Sequence, residues 1–228
     1  MDVEIWSDIA CPWCYVGKRR FEAALAGFEH ADELEIEWRS FELDPEAPAE
    51  RGQSTAQHLA EKYGRTLEEA EGMNAQMTET AAGEGLAFRF DLARSGRTFD
   101  AHRVIQHAKA AGRQDAMEER LFAAYLEQGE LLSDHETLER LAVEIGLDAA
   151  DVRRVLASDE HADAVRDDER TAAALGISAV PCFVVDRTIA ASGAQPPAAL
   201  LDLLQQGWER RTPMQVVTGG DACGPDGC

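Results

Sequence analysis

Two short stretches near the start of the chain alternate hydrophobic and polar residues, which is the pattern of a β-strand. They extend from Val3 to Ile9 and from Leu34 to Phe41. Between them, Phe21, Leu25 and Phe28 recur at helical spacing. The first part of the chain therefore predicts a strand, a helix and a second strand.

A long middle region, from about Ser54 to Gly176, has helical periodicity interrupted by helix-start and helix-stop signals. Thr66 to Glu69 and Ser133 to Glu136 both fit the capping box, in which a hydroxyl residue and a later acid satisfy free backbone amides. Glycine follows the ends of several periodic stretches, as is common after a helix: Gly64, Gly112, Gly146 and Gly176. This region predicts a block of several helices.

Strand character returns at Cys182–Val185 and at Thr188–Ala191, and the short link between them predicts a hairpin. A final helix follows Pro196 and Pro197. The order strand–helix–strand, helical block, strand–strand–helix predicts an α/β sheet interrupted by a helical insertion. We expect three parts: a sheet domain from residues 1–46 and 177–212, an insertion domain from residues 47–176, and a C-terminal tail at residues 213–228.

Composition and charge narrow the range of functions. The chain of 228 residues has 43 acidic and 22 basic residues, so its formal net charge is −21. No basic cluster offsets this charge, which argues against a surface that binds nucleic acid. No apolar run reaches the roughly 20 residues that span a bilayer, and the first residues lack the pattern of a signal peptide. We therefore expect a cytoplasmic protein without a membrane partner.

The strongest chemical signal is Cys11-Pro12-Trp13-Cys14, at the junction of the first strand and the first helix. The first turn of a helix has free N–H groups and the positive end of the helix dipole, so a thiolate there is stabilised. Two intervening residues bring the second sulfur one turn along, close to the first. We predict that Cys11 attacks a substrate and that Cys14 resolves the mixed disulfide.

Zinc sites also use C-x-x-C pairs, so a metal site is the alternative. Cys223 and Cys228 near the C-terminus would complete a four-cysteine site with Cys11 and Cys14. We favour a second redox pair at Cys223 and Cys228, because the turn residues between them promote a tight reversal. An incidental tail is the second reading. No metal is therefore expected, and we expect Cys182 to be a small buried thiol within a strand.

A second element is Val180-Pro181, directly before the third predicted strand. A proline at the start of a buried strand lacks a donor for the sheet and needs a reason. A cis Val180–Pro181 peptide is one such reason, because cis prolines serve tight turns. A trans proline at the beginning of a strand is the alternative.

These features together resemble the thioredoxin superfamily, with the cysteine motif after a strand and Val180-Pro181 before a later one. The helical block is similar to the arrangement in DsbA. Three further stretches are similar to the FrnE-type branch of DsbA-family oxidoreductases: Arg39–Leu43, Thr98–Arg103 and Ser192–Pro197. The resemblance covers about residues 3–210.

The resemblance implies a thioredoxin fold with a helical insertion, a nucleophilic Cys11, a resolving Cys14 and a cis peptide beside them. It also implies that Pro12 and Trp13 tune the redox potential and lie at the substrate site. Val180 would offer its backbone to a bound peptide.

The chain departs from the thioredoxin pattern at one position. Many thioredoxin-fold enzymes place a buried acid six residues before the first cysteine, where this chain has Ile5. The proton acceptor for Cys14 is therefore unassigned, with Asp8, a water or the substrate thiolate as candidates. We expect His102 to be a packing or capping residue, and Lys18, Arg19 and Arg20 to form a solvated helix face.

Three functions remain open. The leading one is a protein-disulfide oxidoreductase or isomerase that acts on protein or small-molecule thiols and disulfides, with no cofactor other than a low-molecular-weight thiol as electron donor. The second is a glutathione-dependent isomerase or kappa-class glutathione transferase, which usually carry serine at the first motif position. The third is a non-catalytic chaperone that binds peptides beside Pro181. The intact pair of Cys11 and Cys14 favours the first.

Overall fold

The computed structural model describes residues 1–211. The chain begins with β1 (Asp2–Ser7), α1 (Pro12–Ala26), a short 3-10 turn and β2 (Glu35–Ser40). Seven helices follow: α2 (Thr55–Tyr63), α3 (Leu67–Gly83), α4 (Phe99–Ala110), α5 (Gln114–Leu126), α6 (His135–Glu144), α7 (Ala149–Leu156) and α8 (Ala162–Ala174). The described part ends with β3 (Cys182–Val185), β4 (Ile189–Ser192) and α9 (Pro197–Arg210). The predicted order of strands and helices is confirmed.

The four strands form one sheet in the order β2-β1-β3-β4. β1 runs parallel to β2 and antiparallel to β3, with Trp6 opposite Cys182. The end of β1 therefore lies beside the start of β3, which brings the cysteine motif after β1 next to Val180-Pro181. The predicted hairpin between β3 and β4 is also confirmed, and its turn residues Asp186 and Arg187 both have positive φ angles of 45° and 51°.

One face of the sheet packs on α1 and α9 through side chains that we call the apolar core. Its members are all buried and hydrophobic: Met1, Val3, Ile5, Phe21, Ala24, Phe28, Trp38, Phe183, Val185, Leu200, Leu203 and Leu204. Phe21 of α1 stacks on Phe183 of β3 with ring centroids 5.3 Å apart. The alternation predicted for β1 places Val3 and Ile5 in this core.

The helical block packs on the rest of the sheet in a second buried cluster. Tyr15 stacks on Phe122 of α5 at 4.9 Å, and the Trp6 indole N–H donates to the Asp168 carbonyl of α8 at 3.0 Å. These contacts join the block to β1 and α1. The division into separate domains at residues 47–176 stays a prediction.

The prediction that Lys18 lies on a solvated helix face is wrong. Its side chain is 2% exposed and contacts Glu22 and Asp115, each at 2.7 Å. Asp115 belongs to α5 and is itself exposed, so this ion pair connects α1 to the helical block at its surface. A buried lysine is tolerated because its charge is paired and hydrogen-bonded on both sides.

The capping signals were correct in one case and displaced in the other. Thr66 and Glu69 form the predicted capping box at α3, whereas α6 begins one residue later than predicted, with Asp134 as the cap that accepts the Thr137 amide at 2.9 Å. Ser133 instead donates to the carbonyl of Ala49. Within residues 1–211, no helix is both long and apolar enough to cross a membrane.

Candidate active site

Cys11 and Cys14 lie at the start of α1, as the sequence predicts. Cys11 is the N-cap residue with an extended backbone (φ −91°, ψ 111°), and Pro12 begins the helix. The Cys14 amide donates to the Cys11 carbonyl at 3.0 Å, so the two cysteines are one turn apart. Both are free thiols. Cys11 lines a surface cleft, whereas Cys14 is completely buried.

The Val180–Pro181 peptide is cis, which confirms the prediction. The Cys11 thiol donates to the Val180 carbonyl, with sulfur and oxygen 3.8 Å apart. The loop is tied to the end of β4 because the Gly193 amide donates to the Pro181 carbonyl at 2.7 Å. The backbone of Val180 is therefore next to the sulfur that we expect to react.

Gly17 allows α1 to approach Pro181 closely, and no motif in the sequence indicated this role. A Cβ at position 17 would lie 2.8 Å from Cγ of Pro181 and 3.4 Å from the Phe183 ring. Contacts between carbon atoms as short as the first of these are repulsive. The available signal was a glycine inside a helix, which lowers helix stability and so needs a packing reason.

Cys14 is held in its thiol form by its surroundings. Burial raises the pKa of Cys14 well above its usual range, and the neighbouring Cys11 raises it further. The Asp8 main-chain amide and the Ser7 hydroxyl lie beside the Cys14 sulfur and act in the opposite direction, because they stabilise the thiolate. Cys14 therefore requires a proton acceptor before it can react as a thiolate.

Behind Cys14 lies a group of buried polar side chains that we call the polar cluster: Ser7, Asp8, Glu42, His102 and Glu118. His102 is buried, as expected of a packing residue, and its Nε2 also faces Asp8 Oδ1 at 3.5 Å. Burial alone would lower the pKa of His102, but Asp8, Glu118 and Glu42 together raise it.

The two glutamates of the polar cluster hold protons unusually tightly. Burial raises the pKa of Glu118 to about 7, although His102 and Ser7 oppose the shift. Burial likewise raises the pKa of Glu42 to about 7, against the opposing effects of His102 and Arg166. Titrating groups concentrated behind a candidate reactive thiol are typical of functional sites.

Cys11, Pro12 and Trp13 line a cleft of about 400 Å³. The opposite wall comes from α2 and α3, where Tyr63 and Met73 face the cleft. Trp13 is 45% and Tyr63 54% exposed, so large apolar surfaces remain open to solvent here. Clustered exposed hydrophobic side chains of this kind mark binding sites.

The same cleft is lined by two cationic side chains, Arg51 and Lys62, which we call the cationic wall, and by His58. Burial lowers the pKa of His58, and the charges of Arg51 and Lys62 lower it further. Arg51 is paired with Asp44. The cationic wall is notable in a protein of formal net charge −21. No sequence pattern indicates it, because its members are not clustered enough along the chain.

The remaining cysteines divide into two groups. Cys182 is buried in β3, as predicted, and burial raises its pKa. Cys223 and Cys228 lie outside the described residues, so their assignment as a second redox pair stays a prediction.

Among residues 1–211, the three potential metal ligands that come together are His107, Glu160 and His161, with no cysteine. Glu160 is already paired with Arg154. Burial lowers the pKa of His161, as do the charges of His107, Arg103 and Arg154. These positive charges oppose the binding of a cation at this position.

Comparison with known proteins identifies the family. Residues 2–205 match the model of the DSBA-like thioredoxin domain. A probable DsbA oxidoreductase from Streptomyces coelicolor is 47% identical, with a TM-score of 0.93 over 100% of this chain and 98% of that one. The chain belongs to the DsbA-like thioredoxin domain family, a family of thiol–disulfide oxidoreductases. The predicted thioredoxin fold with a helical insertion is confirmed, while the FrnE-type branch stays a prediction.

Two more distant structures share the fold alone. The cytosolic disulfide reductase DsbM from Pseudomonas aeruginosa is 17% identical, with a TM-score of 0.65 over 92% of this chain and 99% of that one. A 2-hydroxychromene-2-carboxylate isomerase is 14% identical, with a TM-score of 0.64 over 92% of this chain and 95% of the other. The fold therefore occurs in enzymes of more than one kind.

Proposed function

We propose that this chain is a thiol–disulfide oxidoreductase or disulfide isomerase that uses Cys11 as nucleophile and Cys14 as resolving thiol. The observation that carries the proposal is the contrast between the two sulfurs. Cys11 lines the cleft with its sulfur 3.8 Å from the Val180 carbonyl, whereas Cys14 is buried one turn behind it. Cys11 therefore borders the cleft in which a substrate would bind, and Cys14 lies behind it.

In the proposed reaction, the Cys11 thiolate attacks a substrate disulfide, and the first substrate thiolate leaves. Cys14 then attacks the Cys11 sulfur, forms the Cys11–Cys14 disulfide and releases the second substrate thiolate. Two electrons pass from the dithiol to the substrate. Pro12 and Trp13 border the substrate in this scheme, and Val180 presents its carbonyl to a bound peptide.

A thiol must return the enzyme to its reduced form, and we propose a small acidic thiol for this role. Support comes from the cationic wall, whose Arg51 and Lys62 would hold carboxylates near Cys11. A DsbM structure contains glutathione, which has the required chemistry. We also propose that the reaction takes place in the cytosol, as in the DsbM described as cytosolic, and that the chain belongs to the FrnE-type branch.

The test is single-cysteine replacement followed by two measurements. Cys11→Ser should abolish reduction of a disulfide-bonded peptide, while Cys14→Ser should accumulate a mixed disulfide that mass spectrometry assigns to Cys11. Cys182→Ser is the matched control, because it removes another buried thiol that borders no substrate in the scheme. Full activity of Cys11→Ser, or a mixed disulfide on Cys14, would contradict the proposal.

A glutathione-dependent isomerase is the second candidate. The favourable observation is a cleft of about 400 Å³, which suits a small ligand, and the fold is shared with an isomerase. This function would need no second thiol. Turnover of a small substrate with glutathione that is unaffected by Cys14→Ser would favour it over disulfide exchange.

A further inference from the structure

The resolving thiol needs a proton acceptor, and the position of the acid in many thioredoxin-fold enzymes holds Ile5 here. Cys14 must lose its proton before it attacks, but solvent does not reach its side chain. Burial opposes formation of the thiolate. A side chain that accepts this proton must therefore be a buried group near Cys14.

Ser7 is the polar neighbour that the Cys14 thiol and the Glu118 carboxyl have in common. The Ser7 hydroxyl lies beside Cys14 and also beside the Glu118 carboxyl. Ser7 and Glu118 are each 1% exposed. Among the described residues, neither Ser7 Oγ nor Glu118 Oε1 has a partner in direct hydrogen-bonding geometry. Buried polar atoms without partners are rare, and a hydroxyl can both accept and donate a proton.

Asp8 is the other acid near Cys14, but its carboxylate is engaged. Its Oδ1 accepts from the Ala10 amide at 3.1 Å, and its Oδ2 accepts from the Leu43 amide at 2.7 Å. Oδ1 also faces His102 at 3.5 Å. Asp8 meets the Cys14 sulfur through its main-chain amide, which is a donor. A donor stabilises the thiolate but cannot receive its proton.

We propose that Glu118, acting through the Ser7 hydroxyl, receives the proton of the Cys14 thiol when Cys14 resolves a mixed disulfide. The inference rests on the proposed function. In this step the Cys14 proton passes to Ser7 Oγ, and the Ser7 proton passes to Glu118. The Cys14 sulfur bonds to the Cys11 sulfur, and the electrons of the broken disulfide leave with the substrate thiolate. Glu118 is a positioning residue, because it acts through Ser7.

Charged groups from several elements face Glu118: Asp8 after β1, Lys18 on α1 and His102 on α4. Glu42, which follows β2, faces the same histidine. On α5 itself, Asp115 and Glu119 interact with Lys18. Burial favours the protonated form of Glu118, whereas His102 and Lys18 favour the carboxylate, so its pKa lies at about 7. Both forms are therefore present at neutral pH, as an acceptor that later returns its proton requires.

The experiment separates the two sulfur steps in one reaction. The full chain carries Cys182→Ser, Cys223→Ser and Cys228→Ser, so that only the motif cysteines react. The reduced protein is mixed with the aromatic disulfide dithiobis(nitrobenzoate) in a stopped-flow instrument. Attack by Cys11 releases the first coloured thiolate, and attack by Cys14 releases the second. Both phases are followed from about pH 6 to about pH 8.

The second phase should accelerate with pH, with an inflection near the pKa of Glu118. Glu118→Gln should leave the first phase unchanged, slow the second phase roughly 100-fold at neutral pH, and remove the inflection. Ser7→Ala should also slow the second phase, which provides an independent variant. Glu42→Gln is the matched control, because it removes a second buried acid whose carboxylate is paired with Arg166 at 2.6 Å. It should retain the inflection.

The outcomes distinguish this inference from the proposed function. A Glu118→Gln protein whose first phase is normal and whose second phase keeps both rate and inflection would overturn the role of Glu118. Loss of the inflection in Glu42→Gln but not in Glu118→Gln would overturn it too. Absence of either phase in the parent protein would instead refute the exchange mechanism itself. A first phase that keeps the rate and the pH dependence of the parent protein shows that Cys11 retains its folded environment in the variant.

Discussion

The apolar core and the polar cluster are both buried along β1, yet they have opposite effects on the stability of the folded state. Val3 and Ile5 pack in a cluster of buried hydrophobic side chains, so their burial stabilises the fold. Around Ser7 and Asp8, burial encloses ionisable groups, which costs free energy wherever their charges are imperfectly paired. Packing at the amino-terminal part of β1 therefore stabilises the fold, and part of this stability offsets the free-energy cost of burying the polar cluster at the carboxyl end.

The largest effect on stability should come from breaking the apolar core. Phe183→Ala removes a fully buried ring that stacks on Phe21, and we expect a loss of about 3–5 kcal/mol in the free energy of unfolding. Urea denaturation measures it. Tyr63→Ala is the control, since that aromatic side chain is 54% exposed and should lose far less. Equal losses in the two variants would show that Phe183 is not part of a tightly packed core.

The second largest effect should be a change in stability that depends on pH, which distinguishes the polar cluster from the apolar core. The pKa of Glu118 is raised from 4.5 to about 7 in the folded protein. The contribution of this raised pKa to the free energy of unfolding is therefore fully present below about pH 4.5. It is lost as the pH rises through about 7. Glu118→Gln does not titrate, so its stability relative to wild type should increase by roughly 3 kcal/mol between about pH 5 and pH 8.

Urea denaturation across that pH range measures the difference between the two proteins. Phe183→Ala provides the comparison, because it changes the apolar core and should lower stability by the same amount at each pH. A difference between Glu118→Gln and wild type that does not vary with pH would contradict the assigned environment of Glu118.

The smallest effect should occur at Gly17, where α1 approaches the cis proline. Gly17→Ala would place a Cβ 2.8 Å from Pro181, and we expect it to destabilise the protein by about 1–3 kcal/mol. The displaced Pro181 loop should also lower the rate of peptide disulfide reduction several-fold. Gly72→Ala on α3 is the matched control, because no atom lies within 4 Å of its added Cβ. It should stabilise the helix by up to about 1 kcal/mol.

Thermal or urea denaturation and a turnover assay on both alanine variants test this pair. A Gly17→Ala protein as stable and active as Gly72→Ala would mean that Pro181 moves aside without consequence.

The elements that the sequence predicted correctly depend on local signals. The hairpin at Asp186–Arg187 and the helix start at Cys11 each depend on a few adjacent residues. The polar cluster has no such signal, since Ser7 and Glu118 are 111 positions apart and meet only through tertiary packing. Lys18 was misjudged for the same reason, because its partner Asp115 is supplied by a distant helix. Ser133 and Asp134 are both favourable N-cap residues, so the sequence alone does not show which of them begins α6.

The cationic wall has a consequence for the kinetics of encounter. A small acidic thiol far from the protein experiences the repulsion of a formal net charge of −21, and it meets Arg51 and Lys62 when it reaches the cleft. Dissolved ions screen fields beyond about 8 Å at physiological ionic strength. Salt therefore removes the repulsion on the approach more completely than the attraction inside the cleft. The association rate of acidic reactants should rise with ionic strength, the reverse of the usual electrostatic steering of substrates.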